Sequence, residues 1–475
     1  MEHMEKPEEF RKVTFRDRIS TVGNDGKRVW VFPQMPRGKL YNYRRVVAYL
    51  LLLFFYLAPH LTLNKQPLVL LDFANRHLTL FGQTFYPQDA HLLVLILLTF
   101  LVFIILFTVI YGRVFCGWAC PQTIFMEFLY RPVEYLIDGN RNKQRELARQ
   151  EMNPVKAFKR ILKHGIFLMI SFFSTLTFLA YIISFREVRL LLQGWPFPNT
   201  GSFLAVLAFT GAHYFIFAWF REQVCTLVCP YGRLQGVMLD ENSIVVAYDY
   251  KRGEPRGRGR HEEKGDCIDC KRCVDVCPTG IDIRNGTQLE CIHCTACMDA
   301  CNAVMYTVNK PAGLIRYASE RSIREGTGKL MNARSLAYSV VLFVLLGVAG
   351  FAFIDRSEVE TTIIRMQGTL FQEHGQEAYS NLYNLQMINK TNASSTLDLQ
   401  LLEPEGEIRV LGNPLVLEPG ELISRNLLII LNKPILKSSN TRIIIGVYKE
   451  GVLTDKISSG FVGPNSLDKK QTYED

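Results

Sequence analysis

Cys267-Ile268-Asp269-Cys270-Lys271-Arg272-Cys273-Val274-Asp275-Val276-Cys277-Pro278 is the stretch from which the rest of the chain is read. Its spacing, Cys-x-x-Cys-x-x-Cys-x-x-x-Cys, returns at Cys291, Cys294, Cys297 and Cys301. Two such runs make the bacterial two-cluster ferredoxin pattern, in which each run's fourth cysteine serves the other cluster. The expected ligands of one 4Fe-4S cluster are therefore Cys267, Cys270, Cys273 and Cys301. Those of the second are Cys291, Cys294, Cys297 and Cys277. Two-residue gaps let a tight loop aim three sulfurs at three corners of a small cube, and the fourth corner must come from elsewhere. Structural zinc closes with four ligands, and a disulfide framework needs an oxidising compartment; neither suits two quartets of this spacing. Asn302 stands where a proline is expected after the second run. That position shapes a turn and is not a ligand.

Around this segment lie long apolar runs. Of 475 residues, 48% are hydrophobic, and much of that content falls in five runs near membrane length, ~20 residues. They are Val46–Leu63, His91–Tyr111, Gly165–Phe185, Ser202–Phe220 and Leu336–Ile354. Apolar runs of this length exceed those of buried helices in soluble proteins. Lys39, Arg44 and Arg45 precede the first run, and Arg131, Arg141, Lys143, Arg145, Arg149, Lys156, Lys159 and Arg160 lie between the second and third. Arg221 and Arg233, with Arg316, Arg321, Arg324, Lys329 and Arg334, bound the loop that holds the cysteine runs. By the positive-inside rule these segments are cytoplasmic, and an odd helix count sends the C-terminal region outside. The net charge of +9 is then a topology signal, and nucleic acid is not an expected partner. All 12 cysteines precede the last span, so the exported tail carries none. No cleavable signal sequence is expected in the polar first 40 residues.

The expected fold is a multidomain membrane protein. Residues 1–43 form a cytoplasmic tail, and 44–230 a four-helix membrane region with a helical connector near Thr123–Arg149. Residues 231–334 form an α+β dicluster domain reached through a mobile linker at Tyr248–Lys264, with a short strand at Ile281-Asp282-Ile283. A fifth membrane helix occupies 335–355. From 356 to 475 the period changes to two, as in Thr396-Leu397-Asp398-Leu399-Gln400-Leu401. Further β-rich runs at Leu427–Leu431 and Ile443–Val447 alternate with turns at Glu405-Gly406, Pro419-Gly420 and Gly451. An all-β sandwich of immunoglobulin type fits this length and spacing.

One unit recurs inside the membrane region. The first hairpin runs into Arg113-Val114-Phe115-Cys116-Gly117-Trp118-Ala119-Cys120-Pro121. The second runs into Arg221-Glu222-Gln223-Val224-Cys225-Thr226-Leu227-Val228-Cys229-Pro230. Two helices, an arginine and Cys-x-x-x-Cys-Pro form a parallel internal repeat. Cysteines four apart on a helix share one face. Cys116, Cys120, Cys225 and Cys229 are thus candidates for copper binding or redox chemistry, meeting as four thiolates if the duplication is real. Buried small residues packing helix ends are the alternative. His213, inside the fourth run, is a functional candidate by position or a neutral histidine bonded to a neighbouring helix. Trp118 and Trp219 are expected interface anchors.

These features, with the strings Phe220-Arg221-Glu222-Gln223-Val224-Cys225, Gly265-Asp266-Cys267-Ile268-Asp269-Cys270 and Gly313-Leu314-Ile315-Arg316-Tyr317, resemble the CcoG family, also called FixG or RdxA. The resemblance implies an accessory protein for assembly of cbb-type cytochrome c oxidases in the inner membrane of a Gram-negative bacterium. It implies a cupric reductase with two 4Fe-4S clusters that supplies Cu(I). Its partners would be copper ions, oxidase-assembly and copper-transport proteins and an unnamed electron donor, with a homodimer left open. A quinol-linked relay of the NapH and NosR type and a non-catalytic assembly scaffold are the competing functions. No acid–base or nucleophilic constellation is visible or needed for one-electron transfer.

Overall fold

Long apolar runs become long helices. In the computed structural model, which describes residues 20–464 except positions 24, 64–65, 74–75, 194–199, 258–263, 327–332, 355, 367, 369, 392, 413 and 437, four helices are long and apolar enough to cross a membrane. They are Ala90–Tyr111, Pro154–Ile183, Thr200–Phe220 and Ala333–Ile354. The run expected to be the first span, Val46–Leu63, is not among them. The helix there is Lys39–Leu57, and it stops before Pro59, which opens a 3-10 turn at Ala58–His60. Lys39, Arg44 and Arg45 in its first half keep it from matching the other four in length of apolar run. The Pro154–Ile183 helix starts eleven residues before the expected Gly165. Pro154 at its first position has no N–H to lose, and the Asn153 side chain accepts from the Lys156 N–H at 2.7 Å.

The connector is helical but broken, into Val114–Trp118, Pro121–Phe125, Met126–Tyr130, Arg131–Ile137 and Arg141–Arg149. In the dicluster domain Val245–Tyr248 pairs antiparallel with Ile315–Ala318, Val245 opposite Ala318. Helices Arg272–Asp275 and Ala296–Thr307 each begin inside a cysteine run. The strand expected at Ile281-Asp282-Ile283 is instead a loop entering the 3-10 turn Ile283–Asn285, with Asp282 capping the Arg284 N–H. Both isoleucines are buried in the domain core; the alternation reported burial, and a strand would have needed a partner. The expected linker at Tyr248–Lys264 also changes. Tyr248 ends a strand and Tyr250–Gly253 is a short helix capped by Asp249, while 258–263 lies outside the described residues.

The chain divides into two compact units. The first comprises Met1–Leu61, Val69–Ala74 and Leu93–Ala349, and the second Thr62–Leu68, Asn75–Leu92 and Gly350–Asp475. The second is built on a β-sandwich. One sheet runs Glu407–Leu411, Leu422–Asn432, Ala378–Asn389, Val359–Arg365, with Gln372–His374 also pairing to Ala378–Asn389. The other runs Leu415–Leu417, Ser395–Glu403, Asn440–Lys449, Val452–Val462. Inward residues of both sheets, among them Tyr383, Leu385, Met387, Leu427, Ile429, Ile443, Ile445 and Phe461, form one apolar core, as period-two patterning requires. The segment between the first two helices was assigned by sequence to the membrane region. Most of it belongs instead to this unit, where buried Asp89 accepts from Lys390 Nζ at 2.6 Å and Arg356 Nη2 at 2.9 Å.

Candidate functional site

The two cysteine runs share one backbone device. In the first run Asp269 and Lys271 have φ of 51° and 59°, and at the matching places of the second run His293 and Thr295 have 53° and 65°. Left-handed residues set between right-handed ones turn successive N–H groups inward and make an anion-binding concavity of the kind used by Fe–S sites. Salt bridges fasten the loop edges. Arg284 joins Asp269 and Asp282, and Asp266 takes both Arg252 and Lys310.

All twelve cysteines are free thiols. Burial, reinforced by neighbouring cysteines, pushes Cys273, Cys291 and Cys301 up to about 12. Their proximities sort the thiols into two sets. The charges of Cys270 and Cys267 act on Cys301, and those of Cys301 and Cys270 act on Cys273. The charges of Cys277 and Cys294 act on Cys291, and those of Cys294, Cys291, Cys277 and, last among them, Cys273 act on Cys297. Apart from that link between Cys297 and Cys273, the influences run as the expected crossed sets would have them, Cys301 with the first run and Cys277 with the second. Cys277, Cys291, Cys294 and Cys297, with Cys273 of the first run, line one small cavity together with Val246, Ile281, Ile283 and Ile292. Among the described residues, no group of three or more His, Cys, Asp or Glu side chains is close enough to hold a single metal ion. Thiols gathered in this number and spacing fit the ligand set of iron–sulfur clusters.

A cation supports that fit. Arg44 is 1% exposed; its Nε donates to the Gly117 carbonyl at 2.6 Å, yet both Nη atoms lack a hydrogen-bond partner. Its charge acts on Cys294. A buried guanidinium without an acceptor is costly, and an anionic thiolate-bound group beside Cys294 would satisfy it. Sequence reasoning had read Arg44 as a topology charge. Nothing in its local sequence separates it from Arg45.

The Cys-x-x-x-Cys-Pro motifs are not single helices with both cysteines on one face, which corrects that expectation. Cys116 lies within the short helix Val114–Trp118, the Cys120 N–H reaches back five residues to the Phe115 carbonyl at 2.9 Å, and Pro121 starts the next helix. The second motif repeats this joint. Cys229 N–H bonds the Val224 carbonyl at 2.8 Å, and Pro230 starts the helix Pro230–Met238. The joints meet. The Arg113 guanidinium donates to Gln235 Oε1 at 3.1 Å, and the Cys116 thiol donates to the same oxygen at 3.1 Å. Cys225 is raised to about 12 by burial and then by Cys120, Cys116 and Cys229. All four motif cysteines therefore lie within electrostatic reach of one another.

The first joint also rests on the second cysteine run. The Arg113 N–H donates to His293 Nδ1 at 3.0 Å, and burial with the Arg113 charge lowers His293 to about 3, so this ring is neutral and accepts. Cys116 packs in one apolar cluster with Cys294, Ile292 and Ala296. A Cβ at Gly117 would stand 2.4 Å from the Ile292 carbonyl oxygen and 3.0 Å from Cys294 Cα; only glycine permits this approach.

The repeat arginines serve unlike ends. Arg221 makes a two-pronged pair with Glu134 at 2.8 and 2.9 Å; Arg131 of the connector, outside the repeat, joins Glu127 at 2.9 Å and donates to the Pro278 carbonyl at 3.0 Å. Among the described residues no carboxylate pairs with Arg113. His213 Nδ1 lies 3.2 Å from the Tyr130 hydroxyl, the bland placement expected of it. Trp219 is half exposed and stacks on Phe215 and Phe220.

Residues 220–320 match the family model of a 4Fe-4S dicluster domain, residues 93–144 that of a 4Fe-4S binding domain, and residues 349–464 that of the IG-like fold at the C-terminal of FixG. The chain is 35% identical to Protein RdxA of Cereibacter sphaeroides over 377 residues, covering 76% of this chain and 79% of RdxA. It is 36% identical to the nitrogen fixation protein FixG of Rhizobium meliloti over 308 residues, 62% of this chain and 58% of FixG. A crystal structure of a FixG-related protein from Vibrio parahaemolyticus aligns with 22% of this chain and 97% of its own at 24% identity, with a TM-score of 0.19.

Proposed function

The chain belongs to the CcoG/FixG/RdxA family of membrane iron–sulfur electron-transfer proteins, and from that membership we propose that it is a cupric reductase serving maturation of a cbb-type oxidase. The observation that carries the electron-transfer part is the gathering of eight thiols, five of them buried, behind two loops that share the same left-handed turns. Cys267, Cys270, Cys273 and Cys301 would hold one 4Fe-4S cluster, and Cys291, Cys294, Cys297 and Cys277 the other. When bound, such clusters store and release single electrons at potentials set by burial, charge and hydrogen bonds to sulfur. The protein's part is to keep water from Cys273, Cys291, Cys294 and Cys301, to hold the loops through Arg284 and Arg252, and to place the Arg44 charge beside Cys294. Cu(II) would gain one electron to give Cu(I), the softer ion. The dicluster domain would face the cytoplasm and the sandwich the periplasm.

The test is anaerobic conversion of Cu(II) to Cu(I) by purified, cluster-loaded protein given a chemical reductant slow towards copper alone. Loss of conversion in Cys267→Ser, with none in a distant surface variant, supports the route; equal rates in both sink it. A second reading, oxidation of a quinol, is favoured by one cavity of about 680 Å³. Its lining includes His164, Tyr214, Trp30, Trp219 and Phe167, and Tyr214 and His164 sit in hydrogen-bond contact at 2.8 Å. Aromatic walls with a proton-accepting pair suit a quinol head group. Quinol-dependent reduction of the clusters without copper turnover would replace the first reading by this one.

A further inference from the structure

We infer that Cys116, Cys120, Cys225 and Cys229 together hold a third iron–sulfur cluster of the four-iron type, set against the second ferredoxin-type cluster. The inference deepens the electron-transfer reading and rests on it, but it assigns a site that neither repeat could form alone.

The convergence stands on geometry. Gln235, on the helix that follows Cys229-Pro230, takes both the Arg113 guanidinium and the Cys116 thiol on one oxygen. Gly232, on the same helix, approaches so closely that a Cβ there would stand 2.8 Å from an Arg113 nitrogen and 2.9 Å from the Cys225 carbonyl oxygen. Two joints of the same construction thus offer two cysteines each to a shared space. Residues 93–144, which match a 4Fe-4S binding domain, contain only Cys116 and Cys120. Four-iron clusters take four cysteine thiolates, so the missing pair must come from another part of the chain, and Cys225 and Cys229 are there.

Charge and spacing agree. Arg113 is 3% exposed, carries no carboxylate partner among the described residues, and lies beside these thiols. Arg44 reaches the Gly117 carbonyl from the other side. Buried cations need an anion, and four thiolates around iron supply one. A clamp for a single Cu(I) needs only one of the two pairs of soft thiolates, whereas the joints bring both pairs together.

Position gives the site its use. Cys116 and Cys294 share one apolar cluster, and Gly117 lets the two backbones touch. One electron leaving the second ferredoxin-type cluster, which is oxidised, would reduce the third by one, with no proton required at any residue named here.

Iron and acid-labile sulfide are counted in anaerobically purified full-length protein and in its Cys116→Ser/Cys225→Ser variant, with Mössbauer spectra of both. Two four-iron clusters account for about eight iron atoms per chain. The expected wild-type value exceeds this by about four, with matching sulfide, and the variant loses the excess while keeping the two ferredoxin-type EPR signals. A wild-type count of about eight, or stoichiometric copper on the four thiols, overturns the inference. Should the variant fail to fold, the wild-type iron and sulfide count decides alone. Copper turnover plays no part in the readout. An iron excess without cupric reductase activity would therefore keep the third cluster and remove the copper reading, and activity with only about eight iron would do the reverse.

Discussion

Cys301 lies in the second run by sequence but beside Cys267 and Cys270 in space. That crossing makes a prediction that no uncrossed arrangement shares. Cys301→Ser and Cys267→Ser should abolish the same EPR signal, whereas Cys277→Ser and Cys291→Ser abolish the other. Loss of one signal by Cys301→Ser and Cys297→Ser together would show uncrossed quartets. Arg44 gives a second residue-scale test. A buried cation beside Cys294 favours the reduced, more negative state of the adjoining cluster, so Arg44→Met should lower that cluster's potential. A tenfold loss in the reduced-to-oxidised ratio would appear as ~60 mV, about 1.4 kcal/mol, in an EPR-monitored redox titration; an unchanged midpoint refutes the role. In the sandwich unit, burial opposes the charge of Asp89, but hydrogen bonds and charges from Lys390 and Arg356 win and hold its carboxyl below the ordinary 3.8. Its contribution is therefore complete above pH 3.8 and is lost as pH falls through the depressed folded value. Asp89→Asn should cost about 3 kcal/mol, the low edge for breaking a buried pair, because Glu360 still holds Lys390. Denaturant melts at neutral and acid pH measure both effects, and the gap between variant and wild type should narrow in acid.

At the scale of elements, the first helix is where reading and structure part. Its start is tied to the dicluster domain, with the Tyr41 N–H donating to Asp299 at 2.8 Å. The end of Ala90–Tyr111 is tied there too, through Arg113 and His293. A 22-residue helix spans ~33 Å, so its beginning lies at the far face, and the chain from Lys39 must travel that distance first. Lys39–Leu57 is the only described helix available for the journey. It should therefore span the bilayer in spite of its charged first half, whose Arg44 is buried in protein and spared lipid. Alkaline-phosphatase fusions after Leu63 should be active and fusions after Arg45 inactive; activity at both, or at neither, removes this crossing. Repeats, spans, strands of the sandwich and the cysteine spacing were all legible because each is a pattern local in sequence: run length, period, spacing. The joints at Cys120 and Cys229 were not, since a helix broken at a cysteine keeps the same spacing as one that continues. Nor were the pairings of Arg221 with Glu134 or of Asp89 with Lys390, 301 residues apart, which only tertiary contact reveals. The Ile281-Ile283 alternation misled because burial on a loop and burial on a strand leave the same mark.

At the scale of the whole molecule, the two units are stabilised by different physics. The sandwich core is a continuous apolar cluster from Val359 to Phe461 that contains no cysteine. The apolar cluster of the dicluster domain includes Cys267, Cys273, Cys291 and Cys301 among its buried members, with Cys270, Cys277 and Cys297 packed against it. Sulfurs replace the aliphatic side chains that such a small core would otherwise need, so much of its folding free energy must come from metal–sulfur bonds. Calorimetry of anaerobic, detergent-solubilised protein should therefore show separable transitions. Oxidative removal of iron with a chelator should abolish or strongly lower the transition of the dicluster domain and leave that of the sandwich within about 2 °C, since no term in its core changes. Cys→Ser replacement of any ferredoxin-type ligand should act in the same direction but less, because one quartet survives. If iron removal shifts both transitions together, the sandwich depends on the clusters for its stability and the separation of forces argued from the two cores is wrong.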